Sequence, residues 1–483
     1  MSYTPSIRLL LILAAGTCVF MAAQAWGQSY SIDDSPVPTI PIVMNPTLTV
    51  QTTPLNPYKR YLDGQWHGVY LASDGKVYSG GSSHSDLTSG VFFQYNPATA
   101  GITMLSSDLS ATSHESAPPQ VPQGKLHSDI VENKGWIYFT THLADYSATG
   151  QNNFTGSHML GYQLGSAEAG SAVWRDFGVI QANYTSYAGI SVDPIHDYLY
   201  TSVTQWWKSS SYNKGYLYRY NTDGTGKTQI ASNITENFYQ FVDKRGDMWF
   251  AHYNNSGTMY KVSGATGAVT TYANALPLRR NTTSDTTNTS TADRYFGWGQ
   301  ALDGDRFLFS MGGGDGGIWE MDTSKMLDGN PSDAFKLVRW IGSHSSGLAL
   351  GGDTLYYIQS ADPNWTQGAK ARDHHIKSID ITNPAAITDW GRVVDQSGRT
   401  PYRSEGMAAD DQGHVYFTGD WRVLQSDPLN YRSLRREFGT TGDYINLWRG
   451  LMFATVTLPE PASMTLLLAG FGLLLARRHR KKA

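Results

Sequence analysis

Seven stretches of this chain can be laid under one another, and that internal repeat restricts the fold more than any other feature. The stretches are "LASDGKVYSGG", "VENKGWIYFTT", "VDPIHDYLYTS", "VDKRGDMWFAH", "ALDGDRFLFSM", "ALGGDTLYYIQ" and "ADDQGHVYFTG". Each reads as an apolar strand, a polar Asp/Gly turn and a second strand that usually carries an aromatic residue, which is a β-hairpin pattern. The second-strand landmarks are Tyr78, Tyr138, Tyr200, Trp249, Leu308, Tyr356 and Tyr416, so six steps cover 338 residues with a mean of about 56. A period of that size with two strands in each half suggests propeller blades. Several copies run on into a second hairpin, as in "VFFQYNPATAGITML", "YLYRYNTDGTGKTQI" and "TMYKVSGATGAVTTY", which completes four strands per unit. Radial packing of such sheets leaves only short, protected edges.

The expected fold is therefore all-β, a seven-bladed β-propeller over residues 60–455. The closing strand has two candidates, "PTLTVQ" (46–51) and "NLWRGLMFATVTL" (446–458). Composition agrees with the reading: 49 Gly, 29 Tyr and 14 Trp with only 16% charged residues suit turns and pleated surfaces. Two segments break the pattern. "NTTSDTTNTSTAD" (281–293) reads as a mobile polar loop, and "SSDLSATSHESAPPQVPQ" (106–123) as a linker before the second blade.

The two ends look like targeting segments. Residues 1–25 have one basic residue, Arg8, then an apolar run ending in Ala23-Gln24-Ala25, the layout of a secretory signal peptide. The only cysteine, Cys18, lies inside it, so the exported chain is expected to hold no disulfide, thiolate metal site or cysteine nucleophile. Residues 26–59 form an N-terminal extension. Residues 456–483 carry Pro459-Glu460-Pro461, a short apolar run and the basic cluster Arg477, Arg478, Arg480, Lys481, Lys482. This order resembles the PEP-CTERM sorting tail of exported bacterial proteins. The resemblance implies a C-terminal transmembrane helix that anchors a precursor in the inner membrane, a sorting transpeptidase as partner, and a final place at the cell surface or in the extracellular matrix.

Setting aside Arg8 and the five basic residues of the tail leaves 31 basic against 41 acidic side chains, a balance near −10. That argues against nucleic acid as a partner, since such binding needs broad positive potential. Any anionic ligand must meet local cations.

Candidate chemistry lies where first strands begin and second strands end. The starts give His67, His127, Tyr187, Tyr239, His344 and Glu405; the ends give His84, His142, Gln205, His252 with Tyr253, Asp315, Asp362 and Asp420. A single histidine near a strand end is more often a hydrogen-bonded structural residue than a catalyst. Recurrence at equivalent positions of adjacent blades gives the pair His127 and His142 more weight. Trp206, Trp207, Trp298 and Trp421 suit stacking on sugar faces, although half or more of them are expected to pack between blades. Neutral imidazoles, with His344 and His374 also available, can ligate zinc or manganese. No close-spaced ligand motif supports a metal, and the cofactor stays open.

"GKLHSDIVENKGWIYFTTH" (124–142), followed by "SYAGISVDPIHDYLY" (186–200), resembles the propeller-type polysaccharide lyases, in particular the ulvan lyases. By that resemblance His127 and His142 take the catalytic histidine places, Tyr187 that of the tyrosine acid/base, and Tyr239 that of a looser second tyrosine. The family has an arginine near the end of blade three, where this sequence reads "SVTQWWKSS" and offers Gln205 and Lys208. The implied activity is β-elimination on a uronate-containing, anionic polysaccharide. His84, Gln205, Trp206, Lys208, His252, His344 and Glu405 are then expected to line the substrate site. The alternative is a non-catalytic propeller that binds polysaccharide or protein with its rim.

Overall fold

The computed structural model describes residues 42–458 other than 44–46, 56–61, 63, 66, 84–87, 116–120, 145–151, 188, 206–214, 235–238, 254–256, 282–283, 289–293, 313–314, 330, 343–344, 361–373, 397–400, 402 and 423–447. Both expected targeting segments, 1–25 and 456–483 beyond Leu458, lie outside these residues. No helix among the described residues is long and apolar enough to cross a membrane.

Among the described residues there are seven sheets, antiparallel apart from two short strands added to the sixth, and each contains one of the seven hairpins. The first strands Val69–Leu71, Val131–Asn133, Ile190–Asp193, Gln240–Val242, Phe296–Asp303, Ser345–Gly351 and Arg403–Ala409 are the innermost members. They neighbour one another in order from the second sheet to the seventh, and the seventh returns to the first. This is a seven-bladed β-propeller.

The hairpin turns show why the Asp/Gly signature recurs. Gly75, Gly135, Gly246 and Gly413 take positive φ at the turn, and Asp197 does so in blade three. Glycine enters that region without steric cost, and Asp is one of the few other residues that tolerates it. Aspartates at the start of the turn cap it: Asp243 Oδ1 accepts from the Arg245 and Asp247 amides, and Asp410 Oδ1 from those of Gln412 and His414. These bonds fix the turn with residues of the hairpin itself.

The landmark residues are the keys between blades. Tyr78 packs with Ile137, Phe139 and Tyr162 of blade two, Tyr138 with Leu199 and Tyr218 of blade three, and Tyr200 with Met248 and Phe250 of blade four. Trp249 meets Phe307 and Phe309, Leu308 meets Leu355 and Tyr357, and Tyr356 meets Val415 and Phe417. Tyr416 closes the ring on Val77 and Phe93 of blade one. Strand alternation explains the pattern, because one face of each second strand must face the following blade and the other the preceding one. All seven landmarks are buried, which makes them packing residues.

The closing candidates divide: 446–458 supplies a strand of the last blade, whereas 46–51 gives that blade only Gln51. Trp448–Thr457 is the third strand of blade seven, and Gln51–Pro54 pairs with it as the outermost strand. Thr47–Thr49 and Ile42–Val43 instead run parallel to the outer strand of blade six, Ile387–Val394. The ring thus recruits residues 42–54, which precede the expected 60–455 span. Of that stretch the sequence offers 46–51 as a candidate strand, but a lone strand has no hairpin partner to mark where it pairs. The 106–123 linker contains a short helix, Leu109–Thr112, capped by Asp108 and with Leu109 buried against blades one and two. The described part of 281–293 is tied down as well: Arg280 bonds Asp285 through Nε and Nη2, and Asn288 N–H reaches the Arg279 carbonyl at 2.7 Å.

Candidate functional site

Because each first strand and the second strand after it are antiparallel, the start of one and the end of the other share one end of the blade. His142 is the last residue of the strand Trp136–His142 and stands directly opposite Lys125 in the register, so the two side chains share a face. His127 follows Lys125–Leu126 in the break before Val131–Asn133. Tyr187 precedes the first strand of blade three. The structure brings these together: the His127 ring centre lies 5.1 Å from His142 and 4.1 Å from Tyr187, and His142 lies 5.6 Å from Tyr187.

His142 Nδ1 sits 2.7 Å from the Ser186 carbonyl and 2.5 Å from Thr185 Oγ1. A carbonyl only accepts, so Nδ1 carries the proton, and in the neutral ring Nε2 is left as the acceptor. Backbone of blade three thereby fixes a tautomer in blade two. His127 is held well below the ordinary histidine range, first by burial and then by electrostatic repulsion from His142, His67 and Lys125. It is an unprotonated imidazole at neutral pH.

The cluster extends across the ring. His67, before the first strand of blade one, lies 6.1 Å from His127 and stacks on Trp298 of blade five at 5.6 Å and 13°. Its Nδ1 is 3.6 Å from Asp129 Oδ1. Beside it Gly406 of blade seven has φ +76, and a side chain there would strike the His67 carbonyl. Tyr239, leading into blade four, packs against Gly299, where a Cβ would overlap its ring. Burial and the Asp129 charge keep its hydroxyl protonated far into the alkaline range. Six of the seven blades thus contribute residues to this cluster.

The remaining expected site residues divide. Gln205 is partly exposed and donates from Nε2 to the Asn183 carbonyl at 2.9 Å. His252 is buried, packs 4.7 Å from Tyr260 of its own blade, and is pushed down to about 4 by that burial. His84, Trp206, Trp207, Lys208, His344 and Asp362 lie outside the described residues, as do the side chains of Glu405, Asp420 and Trp421. Among the described residues no group of three or more His, Cys, Asp or Glu is placed to hold a metal ion. Sequence reasoning missed Lys125 and Asp129. The alternation of side chains about His127 was the only signal for either.

Asp315, expected at the end of a second strand, is fully buried instead of lining the mouth. Its Oδ1 accepts from the Arg280 amide at 2.6 Å and Oδ2 from Trp319 Nε1 at 2.7 Å. Burial outweighs these donors and pushes the carboxyl up to about 7. The folded state then holds a proton that the unfolded chain releases near pH 4, so stability is complete below about 4 and falls as pH rises to 7. The loss is at most about 4 kcal/mol. Urea midpoints measured from pH 4 to pH 8 are expected to fall for the wild type and to flatten over this window in Asp315→Asn; equal slopes would refute the assignment.

No known protein family matches the sequence, and no curated protein matches it. Among solved structures, the chain is similar to an oligogalacturonate lyase in complex with manganese, with 11% identity over 87% of this chain and 97% of the other at a TM-score of 0.47. It is also similar to a Niastella koreensis GH74 enzyme, with 12% identity over 77% of this chain and 52% of that one at a TM-score of 0.48.

Proposed function

We propose that this propeller is an exported lyase that cleaves a uronate-containing polysaccharide by β-elimination at the His127, His142 and Tyr187 cluster. The observation that carries the reading is the convergence of two imidazoles and a phenol from two blades within 4.1 to 5.6 Å. β-Elimination removes the proton beside the uronate carboxylate, and that carbon becomes acidic only when the carboxylate charge is offset. Lys125, paired across the strands with His142, brings a cation next to the imidazoles. His127, unprotonated at neutral pH, takes the proton; Tyr187, partly exposed at the edge of the cluster, donates one to the departing glycosidic oxygen. Trp298 has one face on His67, and its partly exposed remainder is the candidate contact for a sugar ring. Water is not the nucleophile, so no pair of carboxylates is required.

The test is direct. Purified protein incubated with a panel of uronate polymers is expected to release unsaturated ends that absorb in the ultraviolet. Tyr187→Phe is expected to lower kcat about 10²–10⁴-fold with KM little changed, because it removes one proton and no ring. A panel that yields no unsaturated ends rejects the reading.

A second reading is favoured by one observation: His127 is 2% exposed and His142 fully buried. A non-catalytic propeller that binds glycan or protein at this mouth needs neither imidazole to meet a ligand. In that case His127→Ala changes no turnover, and binding follows Tyr187, Trp298 and Tyr239.

A further inference from the structure

The seam between blades five and six holds polar side chains that the elimination chemistry does not use. In blade five the register places Trp298 opposite Ser310, Ser310 opposite Ile318, and Ile318 opposite Arg339. These four side chains therefore share one face. Ile318 packs in a cluster with Leu348, Leu355 and Tyr357 of blade six, so that face is turned toward blade six. In blade six Tyr357 and Gln359 stand two apart on one strand, hence on one face, and Ser345 is opposite Gln359. Membership of Tyr357 in the same cluster turns this face back toward blade five.

Between the two faces lies a row of unsatisfied groups. Arg339 is 4% exposed and Tyr357 fully buried. Among the described residues, Arg339 Nε and Nη2, the hydroxyls of Tyr357, Ser310 and Ser345, and Gln359 Oε1 make no hydrogen bond. The carboxylate of Asp285, whose charge reaches Arg339, is already bonded by Nε and Nη2 of Arg280. Buried polar groups are paired in the great majority of proteins, and a buried cation more strictly still. Here donors outnumber acceptors; the nearby carboxylates Asp285 and Asp389 already have partners in Arg280 and in His375 and Lys377, so the Arg339 guanidinium makes a further cation a poor occupant. Nε and Nη2 present two parallel N–H groups along one edge of the guanidinium, the spacing that meets two oxygens of a carboxylate or sulfate.

We propose that the seam between blades five and six binds one small free oxyanion, a carboxylate or sulfate, clasped side-on by Arg339 with the Tyr357 hydroxyl as a second donor. Burial and the nearby Asp389 hold that hydroxyl protonated, so it can donate at any physiological pH. The closed setting selects a free ion over a substituent on a polymer. The ion joins an outer strand of blade five to the second strand of blade six and is independent of the lyase reading.

Equilibrium dialysis with radiolabelled sulfate, and thermal melts in sulfate, acetate and chloride at fixed ionic strength, test this. The wild type is expected to bind one sulfate per chain, with a melting temperature that rises by a few degrees and saturates. A salt-exclusion effect instead rises without saturating. Arg339→Lys keeps the charge but loses the fork and is expected to lose the saturating response. Tyr357→Phe keeps the packed ring and removes one donor; its affinity for sulfate is expected to fall about 5–10-fold. A wild type that takes up neither sulfate nor acetate overturns the proposal and leaves a hydrated seam. So does a Tyr357→Phe protein, folded as judged by its melt, that binds sulfate as tightly as the wild type.

Discussion

His127→Ala is expected to lower kcat on a uronate polymer by about 10²–10⁴-fold, the usual worth of a positioned general base. The melting temperature serves as the control, because the ring is buried and its removal leaves a small void. The pH profile gives the sharper result. Protonation disables the base, and the environment of His127 moves that protonation downward: burial first, then His142, His67 and Lys125. The acidic limb of kcat/KM is therefore expected well below the ordinary imidazole value of about 6.5. Lys125→Met takes the counter-charge from the carboxylate and so lowers kcat, and the limb of the remaining activity is expected to shift upward toward that value. A His127→Ala protein that works within twofold of the wild type ends the case for this base, and so does a limb at 6.5 or above.

The fold was legible because its information is local. Each hairpin carries an Asp/Gly turn that caps itself, as at Asp243 and Asp410, and each second strand carries one large residue for the next blade, as Tyr78 does for Phe139 and Tyr162. Residues 46–51 read as a candidate strand, but where 47–54 would pair was not legible, since a lone strand gains its meaning from partners such as Phe453 that are far away in the chain. The site divides along the same line. His127 and His142 could be paired on paper because they bracket a single hairpin, and Tyr187 follows one blade later. The stacking of His67 on Trp298 needs the ring to close, for blades one and five have no register in common. The row from Trp298 to Arg339 was invisible for another reason: bulges shift the pairing between Phe296 and Trp298 and between Ile318 and Trp319, so counting residues along the strands gives the wrong partners.

Removing residues 1–55 is expected to cost about 5 kcal/mol or more relative to a chain that begins at residue 42. Val50 is fully buried with Ile376, Trp390 and Phe417, and so joins blades six and seven. Leu55, equally buried, packs with Val77, Phe93 and Tyr416 and joins blades seven and one. Each buried aliphatic side chain contributes roughly 2–3 kcal/mol. The strand between them also supplies the outer ladder of blade seven, Gln51 to Thr455 and Thr53 to Phe453. Without it Trp448–Thr457 becomes a long free edge, and such an edge invites pairing between chains. The shortened chain is therefore expected to unfold at a lower urea concentration and to self-associate. A synthetic peptide of residues 42–56, added in trans, is expected to restore part of the midpoint and suppress the association, since the ladder needs contact rather than covalent continuity. An unchanged midpoint in the shortened chain would mean that the ring holds without its seventh outer strand, and that the interblade aromatic clusters alone secure it.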